Sequence, residues 1–300
     1  MHKYIMYKNG IGIAGLTNQG NTCYLNSALQ LLMSSNLMVE FVNYTIIPDA
    51  TVMQYKALIQ QYFSTPMNGC VDTAQFVACL HGDARFRYFA NHQQHDAHDF
   101  LVKFIDLFTS LPSTPQTTHP TLVARNLPCH DCKKVMNTLF DNNIITTVKC
   151  SACGYTSSTT SHEKTISIPI ADAMHDGSFQ SSECLPDWKC DKCSLIGKGT
   201  IVTTIQPKAK YLIINLKRYQ RLPTGQLRKI NTPMEMPQRL MTKYYLRAFI
   251  YHSGQINGGH YVCYRNINDT WYVCNDSSIM PADESRKNLG LVYLYVRQSR

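Results

Sequence analysis

The hydrophobic pattern of the chain changes once, and this change restricts the possible folds more than any other feature. In the first third, apolar residues recur at the three- and four-residue spacing of buried helix faces. The stripes are Leu25, Ala28, Leu29 and Leu32; Val52, Tyr55, Ile59 and Tyr62; and Ala97, Phe100, Leu101, Phe104, Ile105 and Phe108. They predict three helices, of which the last has the strongest stripe.

Beyond residue 121, short runs rich in β-branched and aromatic residues replace the stripes and predict strands. The runs are 144–148, 165–170, 211–216, 246–252, 260–265, 271–274 and 292–296. Residues 211–216, YLIINL, are almost entirely apolar, which is typical of a strand covered on both faces. Residues 110–120 are rich in Pro, Ser and Thr and predict an exposed loop or a boundary between lobes. Helices followed by strands indicate an α+β fold.

Length and composition exclude several classes of protein. The 300 residues suffice for one large core or two modest ones. A hydrophobic fraction of 44% with only 16% charged residues is not that of a disordered chain. No apolar run approaches the roughly 18 residues of a membrane span, and the first ten residues lack the apolar stretch of a signal peptide. We therefore expect neither an integral membrane protein nor a secreted one.

Two features of the composition need an explanation: 12 cysteines and a net charge of +9. Without a secretory signal, the cysteines are expected in a reducing compartment, as metal ligands, as a nucleophile or as small buried residues. The charge is compatible with nucleic acid, with an acidic partner or with undirected surface charge.

Cys23 is the candidate nucleophile. It follows a loop marked by Gly15 and Gly20 and precedes the first helical stripe. We therefore expect it at a helix N-terminus, where backbone N–H groups and the helix dipole favour the thiolate. The alternative is a small buried cysteine. Three asparagines that can donate to an oxyanion, or simply cap the loop, lie nearby: Asn18, Asn21 and Asn26.

His260 is the candidate general base, because it follows a pair of glycines and opens a predicted strand. Asn275 and Asp276 end the next strand, and a hairpin would bring either of them to the imidazole, where it can fix the tautomer. His252 competes for this role but has neither the glycine pair nor the following acceptor. The order Cys, His, Asn/Asp is that of papain-like cysteine proteases.

Two CxxC pairs, Cys150–Cys153 and Cys190–Cys193, predict a tetrahedral four-cysteine zinc site. The 36 residues between them exceed the usual zinc-ribbon spacing of about 15–20. A third pair, Cys129 and Cys132, could replace one of the two, bind separately or have no role.

Taken in order, these motifs resemble those of the ubiquitin-specific proteases, a family of papain-like deubiquitinating enzymes. The cysteine box matches at Gly15, Leu16, Asn18, Gly20, Asn21, Thr22, Cys23, Tyr24, Asn26, Ser27, Leu29 and Gln30. The histidine box matches at Gly258, Gly259, His260, Tyr261, Tyr264, Trp271, Tyr272, Asn275, Asp276 and Ser277. Between them lie QHDAHDFL (94–101), the CxxC pairs and LKRY (216–219). The landmarks extend from residue 15 to residue 278.

The resemblance implies one catalytic domain over residues 1–300, with the papain-like α+β arrangement of thumb, palm and fingers. Residues 10–120 would form the helical thumb and residues 121–300 the β-rich palm. The fingers, within residues 140–205, would carry one structural zinc ion on Cys150, Cys153, Cys190 and Cys193. No catalytic cofactor is expected.

The resemblance also implies the roles of individual residues. Cys23 would be the nucleophile, His260 the general base and Asn275 the third member of the triad. Asn18 would help to stabilise the oxyanion, and Asp276 would assist polarisation near the site.

Substrate contacts are implied in the same way. Asp96 and Asp99 share one face of the strongest helix and would meet arginines of the ubiquitin tail. The alternative is a helix N-terminus that simply carries acids. Gly258 and Gly259 would line a channel too narrow for side chains. Three positions depart from the family's usual residues: Gln19 replaces leucine, His95 glutamine and Asp99 glutamate.

We therefore expect a deubiquitinase that acts on ubiquitin and ubiquitinated proteins. We expect it to be a monomer in the cytoplasm or nucleus, with no membrane and no nucleic-acid partner. Three alternatives stay open: deconjugation of another modifier that ends in Gly-Gly, an inactive ubiquitin-binding module of the same fold, and a zinc-dependent nucleic-acid binder suggested by the charge of +9.

Overall fold

A computed structural model describes residues 12–111, 127, 131–170, 180–255 and 258–298. Its α-helices are Cys23–Leu32 (α1), Asn36–Tyr44 (α2), Ala50–Ser64 (α3), Ala74–Gly82 (α4), Ala97–Ser110 (α5) and Cys132–Phe140 (α6). Short 3-10 helices cover Ala84–Phe89 and Lys287–Leu289. Within these ranges, no helix is both long enough and apolar enough to cross a bilayer.

The three predicted helices are confirmed as α1, α3 and α5, and the helical part of the chain extends beyond them. Helix α6 begins after the expected change of pattern at residue 121, and it packs against α5. It buries Cys132, Val135, Met136 and Leu139, which stand at the i, i+3, i+4 and i+7 positions of one helix face. Most of the predicted loop at residues 110–120 lies outside the described residues.

The strands, in chain order, are Gly15–Leu16 (β1), Cys70–Val71 (β2), Asn142–Cys150 (β3), Thr156–Glu163 (β4), Thr165–Pro169 (β5), Gln180–Leu185 (β6), Gly199–Gln206 (β7), Tyr211–Lys217 (β8), Tyr219–Arg221 (β9), Leu227–Lys229 (β10), Arg239–Leu240 (β11), Tyr244–Gln255 (β12), Gly258–Ile267 (β13), Thr270–Asn275 (β14), Ser278–Pro281 (β15) and Val292–Arg297 (β16). Each predicted strand falls on one of them.

The largest sheet forms the palm. Its strand order is β15-β14-β13-β12-β16-β8-β5, and β11 also pairs with β12. All of these pairs are antiparallel except β5 with β8. Strand β8 is covered on both faces, as its apolar run predicts: Ile213 packs in the core shared with the helices, and Leu212 and Ile214 pack in a second core behind the sheet. The palm is therefore a rigid layer between two cores.

A separate four-stranded antiparallel sheet forms the fingers, in the order β4-β3-β7-β6. Every residue of β4 is exposed, and β3 is mostly half-buried. At the far end of the sheet, Cys150 pairs with Gly199 next to the two CxxC turns. Because this sheet buries little apolar surface, its tip needs an additional source of stability.

Helix α1 joins the helical lobe to the palm, because it packs against β13 and β12. A second junction lies at β1, where the N–H of Leu16 donates to the carbonyl of Asp276 over 2.8 Å. The chains approach so closely that a Cβ on Gly15 would lie 2.1 Å from the carbonyl oxygen of Ser277. A side chain at residue 15 would separate the two lobes at this point.

Candidate active site

Cys23 is the first residue of α1, with Thr22 as its N-cap, and only 2% of the residue is exposed. The expected position at a helix N-terminus is therefore confirmed. The backbone of Tyr261, in the neighbouring strand β13, hydrogen-bonds the thiol and lowers its pKa. Because Tyr261 follows His260, this contact places the candidate base beside the candidate nucleophile.

The expected preference for the thiolate is wrong for the free protein, because the net pKa of Cys23 is raised. Burial is the main cause, and the negative charge of Asp276 adds to it. The backbone groups of Tyr261, Tyr24 and Cys23 itself lower the pKa as a helix N-terminus should, but burial outweighs them. The candidate nucleophile therefore favours the thiol form and would need a base to take its proton.

The hairpin of β13 and β14 brings the candidate base to its orienting residue. The pairing of Cys263 with Cys274 sets the register, and His260 Nε2 lies 2.6 Å from Asn275 Oδ1. Asn275, rather than Asp276, thus contacts the imidazole. If Nε2 carries the proton and donates to Asn275, Nδ1 is free to accept one. Within the described residues, the thiol of Cys23 and the imidazole share no direct hydrogen bond, as is common without substrate.

Asp276 makes a different connection. It has a left-handed backbone (φ 47°), and its carboxylate turns toward the helical lobe. There it accepts from Asn18 Nδ2 over 2.9 Å and from Asn26 Nδ2 over 2.8 Å. One palm carboxylate therefore contacts two amides of the helical lobe, one in the loop before Cys23 and one in the first turn of α1.

Asn18 is held at both ends of its amide. Its Oδ1 accepts from the backbone N–H of Gly20 (2.9 Å) and of Thr22 (3.2 Å), while Nδ2 donates to Asp276. One N–H of Nδ2 thus points to the carboxylate, and the other can serve an oxyanion beside Cys23.

The other two asparagines near Cys23 make contacts that stabilise the local backbone. Asn21 has a left-handed backbone (φ 54°) and donates to the carbonyl of His92, so it caps the loop. Asn26 is buried and also donates to the carbonyls of Leu16 and Thr17, which ties β1 to α1.

Gln94 is a site residue to which the sequence alone assigned no role. Its amide nitrogen donates to the carbonyl of Gly259 over 2.9 Å, and its amide oxygen accepts the N–H of the same residue over 3.0 Å. The two bonds fix the residue immediately before His260. The only signal in the sequence was the place of Gln94 in the QHDAHDFL motif.

His252 supports the same segment from the other side. A Cβ on Gly259 would lie 2.2 Å from His252 Nε2, so only glycine fits there. The ring accepts at Nδ1 from Tyr219 Oη (2.9 Å) and lies near Lys229. Burial lowers the pKa of His252 to about 4, and the charge of Lys229 adds to the effect. His252 is therefore a neutral packing residue rather than the base.

The two acids of α5 lie close together. Asp96 is the N-cap of α5 and accepts from the backbone N–H groups of His98 and Asp99. Burial raises the pKa of Asp96 despite these bonds. Burial also raises the pKa of Asp99, and repulsion from Asp96 adds to it. The capping interpretation is thus confirmed for Asp96. A neighbouring cation would offset the burial and the repulsion that raise the two pKa values.

The four cysteines of the two CxxC pairs predicted to bind zinc form one cluster, with all four sulfurs within 4.8 Å of one another. Sulfurs of Cys150 and Cys193 lie 3.8 Å apart, and those of Cys153 and Cys190 lie 3.7 Å apart. A tetrahedral zinc ion with bonds of about 2.3 Å would separate its sulfurs by about 3.8 Å. The geometry therefore fits zinc, and the four protein ligands leave no position for substrate.

The thiols of the cluster interact with one another through hydrogen bonds. The backbone N–H of Cys153 is the main cause that lowers the pKa of Cys150, to about 7. The backbone of Leu195 lowers the pKa of Cys193, but burial and hydrogen bonds with the other thiols outweigh it and raise the pKa to about 12. Four thiolates cannot share this space without a divalent ion to balance their charge.

The third CxxC pair lies elsewhere. Cys132 is buried in the core of the helical lobe at the start of α6, and it is not among the clustered cysteines. Cys129 lies outside the described residues. Cys150 and Cys153 are thus the pair that joins Cys190 and Cys193 in the cluster.

We expect the purified protein to contain one zinc ion and Cys190→Ser to lose it. The mutated tip should unfold locally while the palm stays folded, because the fingers have few apolar contacts of their own. Zinc content is measured by mass spectrometry of the metal, and local unfolding by hydrogen exchange of β3 and β7. Cys184→Ser, an exposed cysteine on β6 of the same sheet, should keep the ion. Full zinc content in Cys190→Ser would contradict the assignment.

Comparison with known proteins agrees with this geometry. The family model for ubiquitin carboxyl-terminal hydrolases matches residues 14–295. Similar proteins include probable ubiquitin carboxyl-terminal hydrolase 4 of Schizosaccharomyces pombe, with 27% identity over 88% of this chain and 54% of the relative. Human ubiquitin carboxyl-terminal hydrolase 2 has 26% identity over 96% of this chain and 55% of its own. The chain thus spans about half the length of these relatives.

Solved structures show the same fold. The SAGA DUB module of Ubp8, Sgf11, Sus1 and Sgf73 bound to monoubiquitin has a chain that matches with a TM-score of 0.76 at 19% identity. The match covers 97% of this chain and 70% of that one. The expected papain-like α+β fold is therefore confirmed, and the chain belongs to the ubiquitin carboxyl-terminal hydrolase family.

Proposed function

We propose that this protein is a deubiquitinase, a thiol hydrolase that cleaves the bond after the C-terminal glycine of ubiquitin. The observation that carries the proposal is the assembly of Cys23, His260 and Asn275 where α1 meets β13, with Asn18 held beside the thiol. All positions that the family requires for catalysis are occupied. This supports an enzyme rather than an inactive ubiquitin-binding module.

The first half of the reaction forms a thioester. Nδ1 of His260 takes the proton of the Cys23 thiol as the sulfur attacks the carbonyl carbon of the terminal glycine. The negative charge that develops on the carbonyl oxygen is stabilised by the second amide hydrogen of Asn18 and by backbone N–H groups at the start of α1. The imidazolium then gives its proton to the departing lysine amine.

The second half restores the enzyme. Water gives a proton to His260 and attacks the thioester, and the thiol of Cys23 leaves with the proton returned by the imidazolium. Asn275 keeps the ring in one orientation through both halves. The zinc ion would hold the fingertip on Cys150, Cys153, Cys190 and Cys193, and it has no part in these steps.

The proposed substrate is set by the tail of the modifier. Gly258 and Gly259 precede the base. The expected narrow channel is wrong at Gly258, where a Cβ would meet open space, and a side chain at Gly259 is excluded by the packed ring of His252. Asp96 and Asp99 provide negative charge for basic residues in the tail. These residues act on the tail alone, so another modifier that ends in Gly-Gly is the second candidate substrate. We infer the cytoplasm or nucleus as the compartment, because Cys23 and the zinc cluster both need reduced thiols. We also propose that the protein is a monomer.

The positive charge supports no nucleic-acid function. The described basic residues that adjoin one another are Lys133–Lys134, Lys217–Arg218, Arg228–Lys229 and Arg286–Lys287, and these four pairs lie in or beside four different elements. Such dispersion is not the continuous basic stripe of a nucleic-acid interface.

We expect a ubiquitin with a C-terminal electrophile to form a one-to-one adduct with the wild-type protein, and Cys23→Ala to form none. Among the described cysteines, Cys23 is the one to which we assign the neighbouring base that the covalent step requires. Intact-mass spectrometry measures the adduct. Cys70→Ala is the matched control, since Cys70 is an exposed cysteine of the same lobe, and it should keep full labelling. An adduct in Cys23→Ala, or none in wild type, would refute the proposal; labelling by a different Gly-Gly modifier alone would select the second substrate.

We expect KM for a fluorogenic ubiquitin substrate to rise as the pH falls from 7 to 5. Raised pKa values mean that Asp96 and Asp99 take up protons at higher pH than exposed aspartates, and attraction to a cationic tail is lost as the pH falls through them. Asp99→Asn should raise KM about ten-fold at pH 7, the value of one charge-assisted hydrogen bond, and flatten its pH dependence. Asp106→Asn, an exposed acid of the same helix that pairs with Lys164, should match wild type. An unchanged KM in Asp99→Asn at pH 7 would remove this residue from the binding site.

A further inference from the structure

A buried arginine, Arg265, lies at the contact between the palm and the helical lobe. It is 1% exposed and stands on β13, five residues after His260. Its side chain shares a face with Tyr261 and Cys263, which pack in the core between the two lobes. A cationic side chain at such a place is costly to bury, because it must leave water for a layer of apolar residues.

The guanidinium of Arg265 donates to three side chains of the helical lobe. Nε donates to Ser34 Oγ over 2.9 Å, just beyond the end of α1. Nη1 donates to Gln30 Oε1 over 3.0 Å and to the hydroxyl of Tyr62. One palm side chain therefore reaches α1, the segment that follows it, and α3.

Gln30 connects Arg265 to the segment of the chain that precedes Cys23. Its Oε1 also accepts from Tyr62 Oη over 2.7 Å, and its Nε2 donates to the carbonyl of Ala14 over 2.7 Å. Gln30 is seven residues after Cys23 in α1, which is two helical turns or about 10 Å along the axis on the same face. A shift or rotation of α1 that moved Cys23 would therefore break the bonds to Arg265.

We propose that Arg265 is a positioning residue for hydrolysis. Its hydrogen bonds fix the position of α1 relative to β13, and they thereby position the thiol of Cys23 relative to the ring of His260. Two features support this. The planar guanidinium bonds in fixed directions, so it defines the rotation of α1 as well as its distance from the sheet. Gln30 and Arg265 also lie on α1 and β13, the two elements that carry the proposed nucleophile and the proposed base. The inference rests on the proposed function, because it concerns the geometry of that reaction.

The test separates positioning from stability by comparing three changes. Arg265→Lys keeps the charge but loses the directed bonds, and Arg265→Met loses both. The triple variant Arg265→Met, Gln30→Met, Tyr62→Phe replaces the whole network by apolar groups, an exchange that often restores stability. The measurements are the urea midpoint, kcat and KM for a fluorogenic ubiquitin substrate, and the rate at which iodoacetamide labels Cys23, read by peptide mass spectrometry.

Arg218 provides the matched control. It is an equally buried arginine, 2% exposed, but its guanidinium donates to the carbonyls of Ile230, Thr232, Asn288 and Gly290, all in the second half of the chain. Arg218→Met should lower the urea midpoint and leave kcat per folded molecule unchanged, because it does not join the two lobes.

We expect each Arg265 variant to lower kcat at least ten-fold per folded molecule with little change in KM, since a misplacement of about 1 Å can cost a hundred-fold in rate. Labelling of Cys23 should slow in parallel. The triple variant should recover the urea midpoint but not kcat. Recovery of both, or a loss of kcat no greater than the unfolded fraction, would overturn the inference. The labelling rate needs no ubiquitin, so an equal rate in wild type and variants overturns it even if the proposed substrate is wrong.

Discussion

The arrangement of the site depends on one interaction, in which the carboxylate of Asp276 accepts hydrogen bonds from Asn18 and Asn26. The acid belongs to the palm, and the amides belong to the loop before Cys23 and to the first turn of α1. The contact therefore joins the halves that carry the proposed base and the proposed nucleophile. The same turn accepts the N–H of Leu16 and leaves no room for a side chain on Gly15. The carboxylate contacts, the bond from Leu16 and the close approach at Gly15 together keep the start of α1 against the end of β14.

This contact has a chemical cost as well as a structural benefit. The negative charge that orients Asn18 also raises the pKa of the Cys23 thiol, in addition to the larger effect of burial. The proposed nucleophile therefore favours the thiol form and would depend on His260 to become reactive. His260 is in turn fixed by Asn275 on its ring and by Gln94 and His252 around the preceding glycine. Reactivity is thereby coupled to the geometry of the two lobes rather than to a permanently ionised sulfur.

Local patterns were enough to predict much of this architecture. The stripe of Phe100, Phe104 and Phe108 identified α5, and the apolar run of β8 identified a strand with two covered faces. The CxxC spacing identified the four cysteines that the structure clusters. These features depend on residues near one another in the chain, or on a ligand chemistry that admits few side chains.

The rest depends on contacts between residues distant in sequence, which no local pattern contains. The choice between Asn275 and Asp276 follows from a left-handed backbone at residue 276. The raised pKa of Cys23 follows from burial by β13, and Gln94 meets Gly259 across 165 positions of the chain. The sequence pattern did not predict helix α6, although the stripe of this helix is regular. The reason is that the preceding Pro-, Ser- and Thr-rich segment indicates the end of the helical part.

The most direct test of the account is a double-mutant cycle between Asp276 and Asn18, measured as kcat/KM on a ubiquitin substrate. If the carboxylate acts by holding the amide beside the thiol, Asp276→Ala should remove most of what Asn18 contributes. The double variant should then be little worse than the more damaging single variant, with a coupling energy of about 1–3 kcal/mol. Additive losses, with a coupling below about 0.3 kcal/mol, would show that the two residues act independently and would contradict the account.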